Sequence, residues 1–259
     1  MSAQGDFSDD AALGGRLVLR QPRRGHRFGH DSILLAAATQ ALAGEHAVEL
    51  GAGVGAAGLA LARRVAGLTV TLVEIDPALA GLARDNALRN GLGERVRAVC
   101  LDVAGPAGAF AAAGLKPGTA DRVLMNPPFN AAQNPSPQRG RRVARIAPPG
   151  TLGRWLAVAA RLLRPGGAVT LIWRADGLDE VLAALGSEFG AVSILPIHPK
   201  PAMPAIRVLA GAVKARRGPL TLLPGLVLAD AGGKPSPEAE AVLRHGATLP
   251  LTGAENNPS

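Results

Sequence analysis

Between residues 46 and 174 the chain alternates short runs rich in Val, Leu and Ile with longer runs rich in Ala and Leu. Short apolar runs suit strands buried on both faces, while runs of ten or more good helix formers suit the helices that cover them. The pattern predicts strands near 46–50, 69–74, 96–101, 121–126 and 167–173, with helices near 55–66, 77–90 and 151–164. That order is the signature of βαβ units on a parallel sheet. Asp76-Pro77 supplies an N-cap and a first-turn proline for the 77–90 helix, and Asn90-Gly91 supplies its stop.

Upstream, Ile33 to Ala38 reads as a helix that Asp31-Ser32 can cap. Residues 16–30 read as a short strand and a basic loop with Arg16, Arg20, Arg23, Arg24 and Arg27, and residues 1–15, polar and without period, read as a loose leader. Downstream, Asp179 to Leu185 reads as a helix, and 191–197 with 205–213 as an antiparallel hairpin turning at His198-Pro199-Lys200-Pro201. The expected organisation is one domain over 16–215, with 216–259 as an extension packed on it. Residues 133–150 form a long insertion carrying Arg139, Arg141, Arg142 and Arg145, and loops of that length are functional or disordered.

Composition narrows the classes. At 47% hydrophobic and 19% charged, the 259-residue chain can bury a core. Cys100 is its single cysteine, which excludes an internal disulfide and a thiolate metal cluster, and the five histidines lack ligand spacing, so no metal is expected. Neither a secretory signal nor an apolar stretch long enough to cross a bilayer is visible, so a soluble cytoplasmic protein is expected. The net charge of +8 suits a polyanion such as RNA, but an Arg-rich, Lys-poor chain also arises from nucleotide bias. Charge alone does not choose.

The motifs are more specific. Glu49-Leu50-Gly51-Ala52-Gly53-Val54-Gly55 follows a strand and precedes a helix, where glycines let backbone amides approach a ligand, although such turns also serve close packing. The even spacing of Gly51, Gly53 and Gly55 after Glu49 departs from the dinucleotide fingerprint and favours S-adenosylmethionine over NAD. Glu74, at the end of the next strand, can accept from both ribose hydroxyls, whereas Asp76 is explained as a helix cap. After the third strand, Asp102 can accept from an adenine amine while Val103 offers its amide, or Asp102 is simply solvated.

Asn126-Pro127-Pro128-Phe129 stands where the fourth strand ends, and strand carboxyl ends are where open α/β sheets place their ligands. The prolines hold Asn126 extended, so its side-chain oxygen and a nearby carbonyl can both accept from one planar amine and orient the nitrogen lone pair. Methyl transfer from a sulfonium needs that positioning more than it needs a base. Phe129 can stack on a flipped base or a planar amide, or be core in a proline-stiffened turn.

With these residues in place, the chain resembles class I methyltransferases with an Asn-Pro-Pro-aromatic motif. It is most similar to the bacterial family that methylates the exocyclic amine of the adenine beside the anticodon of valine tRNA. The resemblance runs from about 16 to about 215 and rests on Arg27 to Leu35, the Glu49–Gly55 loop, Val73-Glu74-Ile75-Asp76, and Asn126 to Phe129. It implies a Rossmann-like, mostly parallel seven-stranded sheet with helices on both faces and an antiparallel last strand. It further implies that Phe28 and Asp31 border the methionine end of the cofactor, and that a tRNA is bound through Arg-rich loops at 20–27, 139–145 and 214–217. Rival acceptors are a protein glutamine amide, whose planar NH₂ meets the same geometry, and DNA adenine. A non-catalytic RNA-binding module is the rival of a different class.

Overall fold

Every apolar run expected as a strand enters one sheet in the structure, a computed structural model that describes residues 6–24, 27–128 and 150–251. The strands are β3 (His46–Leu50), β4 (Thr69–Glu74), β5 (Val96–Cys100), β6 (Ala120–Met125), β7 (Leu163–Arg174), β8 (Phe189–His198) and β9 (Arg207–Lys214). Across the sheet they run β8-β9-β7-β6-β3-β4-β5, with β9 antiparallel to both of its neighbours and the other pairings parallel. Two short strands, β10 (Thr221–Leu222) and β11 (Leu226–Val227), add to β8, so the expected seven strands are extended at one edge. Such two-residue strands leave no hydrophobic period to read.

Helices cover both faces. On one, α1 (His30–Ala38), α2 (Ala56–Arg64), α3 (Pro77–Arg89) and α7 (Pro237–Leu243) pack over a core that includes Leu35, Leu59, Leu72, Leu124, Ile172 and Leu209. On the other, α4 (Ala107–Ala112), α5 (Thr151–Leu162) and α6 (Leu178–Leu185) pack over Leu50, Val73, Met125 and Trp173. The central strands therefore alternate their side chains between two dry layers, which is why they read as unbroken apolar runs. Asp76 caps α3, accepting from the amides of Ala78 and Leu79 at 2.8 and 3.3 Å.

Two expectations are corrected. The loose leader instead contains β1 (Phe7–Ala12), which pairs antiparallel with β2 (Leu17–Pro22). Its polarity hid it: Asp9 lies 3.3 Å from Arg20 and 2.8 Å from Arg89, and Asp10 lies 2.6 Å from Arg27. Asp31 does not cap α1, because the helix begins at His30 with Gly29 as the capping position. The described residues after 215 pack on the same domain, with Leu251 fully buried and the Leu249 amide donating to the Ala37 carbonyl.

Much of the positive charge has a structural use. Arg64 donates to the carbonyls of Ala36 and Thr39 at the end of α1, and Arg95 to those of Ala62 in the last turn of α2 and of Val65 and Leu68 just after it. Lys214 donates to the Leu163 carbonyl at 2.7 Å. Cations at helix carboxyl ends satisfy orphan acceptors and complement the helix dipole. A surplus of +8 is therefore not a measure of exposed basic surface. The insertion arginines 139–145 lie outside the described residues.

Candidate active site

The parallel topology brings the carboxyl ends of β4, β3 and β6 side by side, so Glu74, Gly51 and Asn126 follow three neighbouring strands. The loop Gly51–Gly55 is held from beneath. The amides of Gly51 and Ala52 both donate to the Val73 carbonyl at 2.9 Å, and that of Gly55 donates to Ala52 at 2.8 Å. Gly51 and Gly53 have φ of +71° and +57°, the left-handed region in which a side chain is strained. A Cβ on Gly51 would lie 2.4 Å from the Trp155 ring, whereas one on Gly53 would meet nothing within 4 Å. Gly51 is sealed by α5 and Gly53 faces open space, so the loop presents a clear surface at Gly53.

Glu74 braces this loop. One carboxylate oxygen accepts from the Gly53 amide at 2.7 Å and the other from the Asp76 amide at 2.9 Å. The side chain is largely buried, yet each oxygen retains a lone pair for a second donor such as a ribose hydroxyl. Asp102 is exposed beyond β5, with one oxygen accepting from the Ala104 amide at 2.8 Å; Val103 beside it is buried. The loop, Glu74 and Asp102 thus line up along one edge of the sheet in the order expected from the sequence, and this donor and acceptor set fits an adenosine with an attached amino acid.

Glu49, the acidic residue that opens the glycine motif and a sequence candidate for the cofactor set, lies under the loop. It is buried there, where its Oε2 accepts from the Gly58 amide in α2 at 2.7 Å, and burial pushes its carboxyl up to about 8. Its position at the end of β3 supports the loop from the interior through the first turn of α2. Asp31 pairs with Arg207 at 3.0 Å, joining the first turn of α1 to the start of β9. Phe28 packs against the core beneath α1, and its amide donates to the Gln21 side chain at 3.0 Å.

Asn126 is half-buried immediately after β6, followed by a buried Pro127 and an exposed Pro128. Its side chain makes no hydrogen bond to a described residue, leaving its acceptor and donor available to a ligand. Phe129 lies outside the described residues. Among the described residues, no group of three or more His, Cys, Asp or Glu gathers as a metal site, and no helix is long and apolar enough to cross a membrane.

Two supporting residues escaped the sequence reading. Trp155 lies four residues into α5 and covers Gly51; an aromatic in an aromatic-poor helix was the available signal. Asn86 is fully buried in α3, accepting from the Arg20 amide at 2.8 Å while donating to the carbonyls of Arg20 and Val54. It ties the N-terminal hairpin to the cofactor loop, and a polar residue on the inward stripe of an Ala-rich helix was its only trace.

Fold and site together define an α/β methyltransferase. The family model of the methyltransferase small domain matches residues 26–199, and the chain belongs to that family, whose fold is that of S-adenosylmethionine-dependent methyltransferases. Among solved structures, a predicted O-methyltransferase from Agrobacterium tumefaciens is 30% identical, with a TM-score of 0.72 over 85% of this chain and 98% of that one. A release factor glutamine methyltransferase from Chlorobaculum tepidum is 32% identical over 59% of this chain and 53% of its own length. A tRNA1(Val) (adenine(37)-N6)-methyltransferase from Porphyromonas gingivalis is 31% identical over 60% of this chain and 61% of its own. The match thus spans little more than half of these curated relatives.

Proposed function

We propose that this enzyme uses S-adenosylmethionine to methylate the exocyclic amino group of an adenine in RNA, a tRNA in particular. The observation that carries the reading is Asn126-Pro127-Pro128 at the end of β6, one strand from the glycine loop, with the Asn126 side chain hydrogen-bonded to no described residue. In this reading Gly53, Glu74, Asp102 and Val103 bind the cofactor, Gly51 and Gly55 shape the loop, Glu49 supports it from beneath, and Asp31, paired with Arg207, borders the methionine end of the cofactor. The cofactor supplies an electrophilic methyl group on sulfur. Asn126 accepts a hydrogen bond from the amine and turns its lone pair towards that methyl, and the stiff Pro127-Pro128 pair fixes the angle. Phe129 is assigned the stacking role against the base.

Similarity to tRNA adenine-N6 methyltransferases supports an RNA acceptor. Similarity to a glutamine methyltransferase favours a second reading, a protein amide, because an amide NH₂ presents the same planar nitrogen. Tritiated methyl transfer into bulk tRNA and into a total protein extract separates the two. Label in RNA that survives protease and disappears with ribonuclease is expected, and label confined to protein would reverse the order.

A further inference from the structure

A depression opens at the turn between β8 and β9, apart from the glycine loop. It holds about 530 Å³ and is lined by His198, Ala202, Met203, Pro204, Gly225 and Val227. β8 is antiparallel to β9 and β9 to β7, while β7 is parallel to β6, so β8 ends on the same edge of the sheet as Asn126. The ladders pair Met125 with Leu171, Arg174 with Arg207, and Arg207 with Ile197. His198 therefore stands three strands across from Asn126 and about three residues further out. At about 4.8 Å per strand and 3.3 Å per residue, the separation is roughly 17 Å. A few unstacked nucleotides cover that span.

The extension after 215 builds one wall. β11 lies beside β8 with Val227 opposite His198, and Gly225, just before it, faces the imidazole. A Cβ on Gly225 would lie 2.6 Å from both Cδ2 and Nε2 of His198 and 3.2 Å from the Pro196 carbonyl oxygen, so only glycine lets the chain run against the ring. The other wall is stiff. Pro199, Pro201 and Pro204 fix φ along the turn, and Ala202 is held at φ +58°, a conformation that a residue with a Cβ keeps only where its surroundings over-determine it. Apart from His198, the lining residues lie beyond residue 199, where the family match ends, so most of the depression is built outside the matched methyltransferase region.

The lining suits a nucleobase. His198 Nδ1 lies 2.8 Å from the Met203 carbonyl oxygen, which only accepts, so Nδ1 carries a proton and the neutral ring keeps Nε2 as an acceptor. No described residue donates to Nε2. Around it stand Pro204, Val227 and the Met203 side chain, 48% exposed, an apolar and polarisable surround for a planar ring. Charge favours an anionic ligand. Lys200, on the same turn, donates to the Ala231 carbonyl at 3.2 Å and pairs with no carboxylate among the described residues. An aromatic ring in an apolar setting with a cation beside it is the arrangement that holds single-stranded nucleic acid.

We infer that this depression takes one unstacked base of the substrate RNA, on the strand flanking the methylated adenine, with His198 Nε2 accepting from its N–H edge and Lys200 on its phosphate. The inference rests on the proposed RNA substrate. Its test is fluorescence anisotropy of an unmodified tRNA pool across a salt series, for the wild type, Met203→Ala, His198→Ala, Gly225→Ala, Lys200→Gln and Leu222→Ala. Met203→Ala and His198→Ala should each weaken binding about tenfold, as for the loss of one stacked base. Met203→Ala should do so without changing the slope of log affinity against log salt, because no phosphate contact is lost. Gly225→Ala, which drives the ring into the depression, should weaken binding to a similar extent, and Lys200→Gln should lower the slope by about 0.7. Leu222→Ala, which trims an exposed side chain of the same extension outside the depression, should match the wild type. Cofactor affinity within about twofold throughout separates lost base binding from misfolding. Wild-type tRNA affinity in Met203→Ala, His198→Ala and Gly225→Ala overturns the subsite while leaving RNA methylation standing if the wild type still labels tRNA. An equal loss of tRNA and cofactor affinity overturns it as well, since the turn then only supports the fold. A wild type that labels protein and neither binds nor labels RNA overturns both and leaves the depression to a peptide.

Discussion

The carboxylate of Glu74 accepts the Gly53 amide at 2.7 Å, so the residue expected to hold the cofactor ribose also fixes the shape of the loop beneath it. Binding and preorganisation are therefore vested in one side chain. Glu74→Ala should weaken S-adenosylmethionine binding by about 1–3 kcal/mol, read by isothermal titration, and Glu74→Gln should recover only part of the loss because an amide offers one acceptor in place of two. An unchanged dissociation constant would contradict the assignment.

Gly51 is closed on one side by Trp155 and held at φ +71°. Gly51→Ala meets both a backbone penalty of about 1 kcal/mol and an overpacking cost of about 1–3 kcal/mol. Cofactor affinity is expected to drop more than tenfold in Gly51→Ala and to recover in part when Trp155→Leu removes the ring, as measured in parallel titrations. No recovery in the double variant would mean that the ring is not what excludes a side chain at Gly51.

Asn86 satisfies three backbone groups from a fully buried position. Asn86→Ala strands those donors and acceptors, so urea unfolding should show a loss of about 1–3 kcal/mol. A stability within 0.5 kcal/mol of wild type, on the order of an ordinary surface change, would show that this tie is dispensable.

Glu49 ties stability to pH. Its carboxyl titrates near 8 when folded against 4.5 in the free chain, so between these values the folded protein binds the extra proton. Stability contributed by the neutral form is full below about 4.5 and is lost as pH rises through about 8. Glu49→Gln keeps an acceptor for the Gly58 amide and cannot ionise, so its urea midpoint should fall less than that of wild type between pH 5 and 9. Parallel curves for the two proteins would rule the linkage out.

The legible parts of this molecule were those whose information is local. Strands β3 to β9 appeared as apolar runs, α3 was framed by Asp76-Pro77 and Asn90-Gly91, and the glycine loop and Asn126-Pro127-Pro128 were contiguous motifs. What stayed hidden depends on distant partners. β1 is polar and exists because Asp9 and Asp10 meet arginines brought from β2, the loop after it and α3. The contact of Glu49 with the Gly58 amide likewise depends on how β3 and α2 pack, which the motif itself does not state. The arginines read as one pool of positive charge include carbonyl caps such as Arg64 and Arg95 and ion-pair partners such as Arg89, Arg122 and Arg164, a division set by the topology.

The central claim is that Asn126 presents a nucleobase amine for methylation. Nucleoside mass spectrometry of tRNA from a strain lacking the gene, incubated with the enzyme and S-adenosylmethionine, tests it most directly. Wild type should produce N6-methyladenosine, and Asn126→Ala should produce about a hundredfold less while binding the cofactor within about twofold of wild type. Absence of N6-methyladenosine with a cofactor-loaded wild type, or undiminished product from Asn126→Ala, would contradict the account.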